Sequence, residues 1–315
     1  MKRPEVVVAT AVPPAVLDHL RARTDVVDVS ALPRERWNGV LATANGLLVG
    51  SSVPVDAALL ASAPALRIVA TVSVGYDNIE VGELARRGIV LTNTRGSLNA
   101  AVADLTYGLV LIGLRRLGQG IDWVRSGRWM QEGAPYGHDL AGATLGIVGF
   151  GAIGLDVARR AQLSGMQVLY HNRRQRADDA TTGAAYRGFD ELLAQADALV
   201  VLVPLGPATR GLFDDAAFAK MKPGALFVNV ARGAVCDTAA LLRALESGRL
   251  GGAALDVTDP EPLPPDHPLL RREDVVVVPH VGSATVETRT RMAVLAADNL
   301  LAFVRGEPLL TPVAL

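Results

Sequence analysis

The residues best suited to chemistry stand just past the ends of apolar, β-branched runs in the second half of the chain. Arg232 follows Phe227-Val228-Asn229-Val230-Ala231. Glu261 follows a run ending Ala254-Leu255-Asp256-Val257, and His280 follows Val275-Val276-Val277-Val278-Pro279. An arginine fork can clamp a carboxylate and polarise the carbonyl beside it. Histidine, as a residue type that titrates near neutral pH, can deliver the proton that turns a carbonyl oxygen into a hydroxyl. A carboxylate bonded to its other ring nitrogen orients the imidazole and favours the protonated form. Together the three suit reduction of a 2-oxo acid. Each also has a plain reading: a solvated arginine, an acid in a loop rich in proline (Pro260, Pro262, Pro264, Pro265), a histidine closing a buried strand. Their occurrence at successive strand ends favours the chemical reading. Asp259 rivals Glu261 as the acid, and Asp256, one residue before the end of its run, either caps the following turn or faces a ligand bound at the strand ends.

Upstream, Gly149-Phe150-Gly151-Ala152-Ile153-Gly154 lies between a strand-like run and a helix-like stretch. The first glycine permits a tight turn, the second lets a pyrophosphate approach the main chain, and the third lets helix pack on strand. The helix N-terminus adds free N–H groups and partial positive charge. This spacing predicts a dinucleotide site. The next run ends in His171-Asn172-Arg173-Arg174, with Asn172 where an acid would hold a ribose 2′-hydroxyl and no carboxylate before Asp178. Arginine matches a 2′-phosphate, whereas an acid repels it. The expected cofactor is therefore NADP(H), with NAD(H) also admitted, read by Arg173 with Arg174 in support. A merely solvated basic turn is the plain alternative.

These residues need a scaffold. Short apolar runs at 5–10, 46–49, 67–72 and 89–92, and again at 144–148, 167–171, 198–203, 225–230, 252–257 and 275–278, alternate with longer amphipathic stretches. Such alternation predicts βαβ units and parallel sheets covered on both faces. Residues 97–117 read as one long helix, apolar on more than one side through Leu98, Val102, Leu105, Leu109 and Ile112. Such a helix is buried between domains or against another subunit. Residues 126–140 read as loop, and a last helix is expected at 286–305. The fold class is α/β: two doubly wound, parallel-sheet domains of Rossmann or flavodoxin-like type.

Composition sets the outer bounds. The chain has 315 residues, half apolar and one-fifth charged, enough for about two domains with real cores. A formal net charge of −1 gives no electrostatic case for nucleic acid or a membrane surface. The single cysteine, Cys236, excludes an intramolecular disulfide and a cysteine-based metal cluster; no metal is expected, and a reducing cytoplasm fits. The first ten residues hold no apolar stretch of signal-peptide type, and residues 105–114 fall well short of the ~20 a bilayer span needs.

In order, four motifs resemble the D-isomer-specific 2-hydroxyacid dehydrogenase family over essentially the whole chain. They are the glycine turn after Leu145-Gly146-Ile147-Val148; Phe227-Val228-Asn229-Val230-Ala231-Arg232-Gly233; Leu255-Asp256-Val257 through Glu261-Pro262; and Pro279-His280-Val281-Gly282-Ser283-Ala284-Thr285. The resemblance implies that Arg232, Glu261 and His280 are the catalytic set, which favours Glu261 over Asp259, and that Asp256 contacts the nicotinamide. It implies further cofactor contacts at Pro204, Val230, Ala231, Gly282 and Ser283, and a substrate-carboxylate loop at Ser73-Val74-Gly75-Tyr76-Asp77, where the Val74 and Gly75 amides bind. It implies a discontinuous substrate domain (1–97 with 288–315), a dinucleotide-binding Rossmann domain (98–287), a catalytic cleft between them, and homodimers through the cofactor domain. Residues 73–78 and 172–174 look most like glyoxylate/hydroxypyruvate and 2-ketogluconate reductases. The rival class is a dinucleotide-sensing, corepressor-like binding protein of the same fold, against which the intact triad argues.

Overall fold

The computed structural model describes residues 3–178 and 181–315; Met1, Lys2, Asp179 and Ala180 lie outside the described residues. The chain divides into two units. One runs to Leu98 and resumes at Thr285–Leu315, and the other is Asn99–Ala284.

In the first unit, β1 (Glu5–Val8), β2 (Asp25–Asp28), β3 (Gly46–Val49), β4 (Ile68–Thr71) and β5 (Val90–Thr92) form a parallel sheet in the order β2-β1-β3-β4-β5. Strands β3 and β4 are buried along their whole length, which is why they read as unbroken apolar runs. Strand β2 lies outside the expected set: Asp25-Val26-Val27-Asp28 is a half-exposed edge with a charge at each end. One face of the sheet packs Val6, Val8, Leu48 and Ile68 against Leu20, Ala297 and Leu300 of the helices Pro14–Arg21 and Val286–Arg305. The last helix starts where Thr285 accepts from the Thr288 N–H (3.2 Å), and it stops at Gly306, whose φ is +68°.

In the second unit, β6 (Thr144–Val148), β7 (Gln167–His171), β8 (Ala185–Tyr186), β9 (Ala198–Val201), β10 (Ala225–Asn229), β11 (Leu250–Leu255) and β12 (Val275–Val277) form a second parallel sheet. Its order is β12-β11-β10-β9-β6-β7-β8. The chain winds outward from β6 to β8 and then returns to β9 on the other side of β6. The C-terminal ends of β6 and β9 therefore flank a topological switch point, where such sheets bind ligands.

The long helix is shorter than expected. It spans Asn99–Leu114 and ends before Arg116, a left-handed residue with φ +49°. Two further helices follow: Leu117–Ser126 fills the stretch before the expected loop, and Trp129–Glu132 lies within it. Leu117, Ile121 and Val124 give helix Leu117–Ser126 an apolar stripe, but Gly118 and Gly120 obscure it in the sequence. Helix Asn99–Leu114 lies so close to the sheet that a Cβ at Gly113 would stand 2.6 Å from the Leu226 side chain. Among the described residues, no helix is long and apolar enough to cross a membrane.

Candidate active site

The glycine turn follows β6. Gly149 has φ +101°, and a Cβ there would lie 2.7 Å from the Leu202 carbonyl carbon just past β9. Gly154 is nearly as confined, 3.0 Å from the Gly149 oxygen, whereas a Cβ at Gly151 would meet nothing within 4 Å. Confinement at the outer glycines and open space at the middle one is what a pyrophosphate laid on the turn requires. Helix Ala152–Leu163 begins without a side-chain cap, leaving N–H groups of its first turn for phosphate oxygens. The residues present fit a dinucleotide.

Asn172, just past β7, is committed to this turn. Its Oδ1 accepts from the Phe150 N–H (2.7 Å) and its Nδ2 donates to the Phe150 oxygen (3.2 Å). Phe150 is further held by stacking on Tyr170, ring centroids 4.4 Å apart, and by Arg176, which donates to the same oxygen at 3.3 Å. Arg176 also pairs with Asp178 at 2.7 Å, holding that carboxyl below the usual range. Arg173 and Arg174 are exposed, and neither pairs with a carboxylate among the described residues. Asn172 was legible as the absence of an acid; its bonds to Phe150, and the part played by Arg176, were not.

At the other side of the sheet the triad residues hang from β10, β11 and β12. Arg232 is extended and half-buried, and its turn is pinned by fully buried Asn229. The Asn229 amide donates to the Arg232 oxygen (3.1 Å) and accepts from the Ala231 N–H (3.0 Å). Next to it, Gly233 touches the loop after β11: a Cβ there would lie 1.9 Å from the Thr258 oxygen. Only glycine allows that approach. The same loop carries cis peptides at Asp259-Pro260 and Glu261-Pro262. The Asp259 oxygen accepts from Thr238 (2.7 Å), while Glu261 Oε1 meets His280 Nδ1 at 2.7 Å. Glu261, not Asp259, is thus the acid on the histidine.

His280 is one of two non-glycine residues with positive φ (+51°) among the described residues, an unfavourable conformation that its neighbours impose. Its N–H donates to the Asp256 oxygen (3.0 Å), and the Asp256 carboxylate accepts from the N–H groups of Val281 (2.6 Å) and Gly282 (3.0 Å). Asp256 is 2 % exposed. Burial pushes its carboxyl above the usual range, against the downward pull of the Val281 amide, the nearby imidazole and the Gly282 amide. The imidazole and Glu261 remain accessible, at 39 % and 41 % side-chain exposure. Of the remaining expected contacts, Val230, Ala231, Gly282 and Ser283 lie on these same turns, and Pro204 is exposed past β9. Val74 and Gly75 belong to the first unit, in the loop after β4.

A dinucleotide turn at the switch point, with an acid-held imidazole on the same sheet, defines an oxidoreductase that works with a nicotinamide dinucleotide. Comparison with known proteins makes the class specific. Residues 107–282 match the family model described as D-isomer specific 2-hydroxyacid dehydrogenase, NAD binding domain. A glyoxylate reductase of Aeropyrum pernix is 41 % identical over 317 residues, covering 98 % of this chain and 95 % of its own. Glyoxylate/hydroxypyruvate reductase B of Salmonella gallinarum is 43 % identical over 313 residues, covering 97 % and 96 %. The crystal structure of an NADPH-dependent glyoxylate/hydroxypyruvate reductase from Sinorhizobium meliloti, in complex with NADP and malonate, superposes with a TM-score of 0.89. It is 37 % identical, covering 99 % of this chain and 97 % of that one. The chain belongs to the D-isomer-specific 2-hydroxyacid dehydrogenase family, and it is an oxidoreductase acting on CH–OH donors.

Proposed function

We propose that the protein reduces a small 2-oxo acid, glyoxylate or hydroxypyruvate with 2-ketogluconate as a third candidate, to the D-2-hydroxy acid, preferring NADPH to NADH. The observation that carries the reading is the 2.7 Å pair of Glu261 and His280 on the sheet that bears the dinucleotide turn. When bound, a dihydronicotinamide supplies the hydride. His280 delivers the proton to the carbonyl oxygen, and Glu261 fixes the ring so that Nε2 is the nitrogen offered. Arg232 binds the oxo acid and polarises its carbonyl, the Val74 and Gly75 amides hold its carboxylate, and Asp256 faces the nicotinamide while pinning the His280 turn.

The NADPH preference rests on Arg173 and Arg174, exposed past β7 where no acid stands. The NADP-bound relative from Sinorhizobium meliloti supports it. A cytoplasmic homodimer through the second unit accounts for an otherwise unexplained set of exposed apolar side chains: Leu117, Ile121, Val124, Trp129, Met130 and Tyr136. Steady-state rates with the three acids and both reduced cofactors test the whole reading. The expected result is turnover of at least one acid with a higher kcat/KM for NADPH. Cofactor binding without turnover of any acid overturns the activity, and equal use of NADH overturns the preference alone.

A further inference from the structure

We infer that Asn93 is a positioning residue for the substrate carboxylate: its buried amide, braced by the C-terminal segment, turns the Val74 and Gly75 N–H groups to one side of their loop. The inference rests on the reading that those two amides hold the carboxylate.

Past β4 the sheet's ladder runs out, and other donors take over the loop's carbonyls. The Thr94 N–H donates to the Ser73 oxygen (2.9 Å), and Asn93 Nδ2 donates to the Val74 oxygen (3.0 Å). Ser73 Oγ donates to the Gly75 oxygen (2.6 Å) and accepts from Thr71 Oγ1 (2.7 Å). In an extended strand successive carbonyls alternate sides. Here those of Ser73 and Val74 are both drawn toward residues 93–94. A trans peptide sets the next N–H opposite its carbonyl. The Val74 and Gly75 N–H groups therefore face away from residues 93–94, side by side. Neither has an acceptor among the described residues. Adjacent main-chain N–H groups aimed one way form an anion-binding concavity.

Asn93 does not stand alone. Its N–H donates to the Thr311 oxygen (3.2 Å), and its own oxygen accepts from Thr311 Oγ1. Thr311 is tied in turn to Asn299, fully buried on the last helix. Asn299 Oδ1 accepts from the Leu310 and Thr311 N–H groups, both at 3.0 Å, and its Nδ2 donates to Thr311 Oγ1 at 2.9 Å. A chain of hydrogen bonds thus runs from Asn299 through Thr311 and Asn93 to the Val74 carbonyl.

The test compares glyoxylate with its uncharged methyl ester in the wild-type enzyme and in Asn93→Asp, which keeps the shape but sets a carboxylate against the Val74 oxygen. The wild type is expected to prefer the acid. In the variant that preference should fall about tenfold or more, through KM rather than kcat, with NADPH affinity unchanged; this is the scale of one hydrogen bond to a charged group. General loosening of the fold would lower acid and ester together, so an unchanged acid-to-ester ratio in the folded variant overturns the inference. If Asn93→Asp shows no cooperative thermal transition, Asn93→Ala, which removes the bond to the Val74 oxygen without adding a charge, is read by the same ratio. A wild-type enzyme without preference for the acid overturns the assignment of the Val74 and Gly75 amides itself, and this inference with it.

Discussion

Replacing Gly233 by alanine adds one methyl group, and the structure fixes where it goes. The new Cβ would stand 1.9 Å from the Thr258 oxygen, 2.0 Å from its carbon and 2.6 Å from the Asp259 nitrogen. All three are main-chain atoms, so no side chain can swing aside. Bringing the closest contact out to 3.0 Å requires the loop to retreat by about 1.1 Å. Glu261 rides on that loop, three residues past Thr258, and its bond to His280 is 2.7 Å long. A retreat of that size along the bond carries the pair to about 3.8 Å, outside hydrogen-bonding range. Misplacement of a catalytic group by about 1 Å costs about 100-fold in rate, or about 2.7 kcal/mol of activation free energy. Overpacking itself costs about 1–3 kcal/mol of stability, and a thermal melt establishes that the variant is folded before its rate is read. The glycine turn lies elsewhere on the sheet and should bind NADPH as before. The assay is the steady-state rate of NADPH oxidation by the 2-oxo acid, beside a fluorescence titration of NADPH binding. Gly82→Ala is the matched control: it lies exposed in helix Val81–Arg86 with nothing within 4 Å of a new Cβ, and it should gain up to about 1 kcal/mol of stability with full activity. A folded Gly233→Ala enzyme with kcat/KM near the wild-type value would refute the claim that the Gly233–Thr258 contact sets the Glu261–His280 geometry.

Three further predictions follow from the same structure. Arg173→Ala combined with Arg174→Ala should raise the NADPH Kd at least about tenfold while leaving NADH binding unchanged; parallel loss of both cofactors would assign the pair to structure instead. Arg232→Ala should lower kcat/KM for the oxo acid by about a thousandfold or more without altering cofactor affinity, measured by the same two assays. Asp56 caps helix Ala57–Ala61: the Leu59 N–H holds its carboxyl low against burial, which raises it, and Arg34 adds to the lowering. The cap's charge-dependent stability is therefore present above the ordinary carboxylate pKa of about 3.9 and lost as pH falls through the lower folded value. Asp56→Asn, which keeps the cap but not the charge, should be less stable than the wild type near neutral pH and converge with it below about pH 4, as urea unfolding across that range would report.

The sheets were legible because a parallel strand buried on both faces leaves an unbroken apolar run, as at Gly46–Val49 and Ala225–Asn229. Elements without that signature were missed. β2 holds two valines between aspartates, β8 is two residues long, and helix Leu117–Ser126 restarts after a left-handed arginine with glycines in its first turn. The site divides in the same way. The residue types at the strand ends can be read directly, because chemistry is a property of the side chain. Their partners cannot, because partnership depends on how loops travel. The proximity of Asp259 and Glu261 in sequence left the choice of acid to resemblance; the path of the Thr258–Pro262 loop makes it, sending one residue's carbonyl to Thr238 and the other's carboxylate to His280. Asn172 could be seen as not being an acid, but its contact with Phe150 requires the register that sets Val148 beside His171.

One device recurs where these loops leave their strands. Asn93 follows β5 and holds the loop after neighbouring β4. Asn172 follows β7 and holds the turn after β6, and Asp256 follows β11 and holds the turn after β12. At the end of a parallel ladder the two main chains diverge, and their N–H and C=O groups lose each other as partners while still half-buried. Leaving such groups unpaired is costly. An amide or carboxylate one methylene from the main chain is short enough to act as one more rung, and rigid enough to aim the peptide it holds. The donor–acceptor needs differ in a way that explains the residue chosen. Phe150 presents both an N–H and a carbonyl to its partner, and Val74 presents a carbonyl, so an amide serves at each. Val281 and Gly282 present N–H groups to two separate side-chain atoms, Oδ1 and Oδ2; a carboxylate accepts at both, whereas an amide would set its NH2 against one of them. The raised pKa of Asp256 is then a consequence of placing that rung in the interior, and the positive φ of His280 is what the rung enforces. Main-chain geometry at three separate strand ends thus depends on polar side chains, buried at Asn93 and Asp256 and half-buried at Asn172, one strand away from the groups they aim.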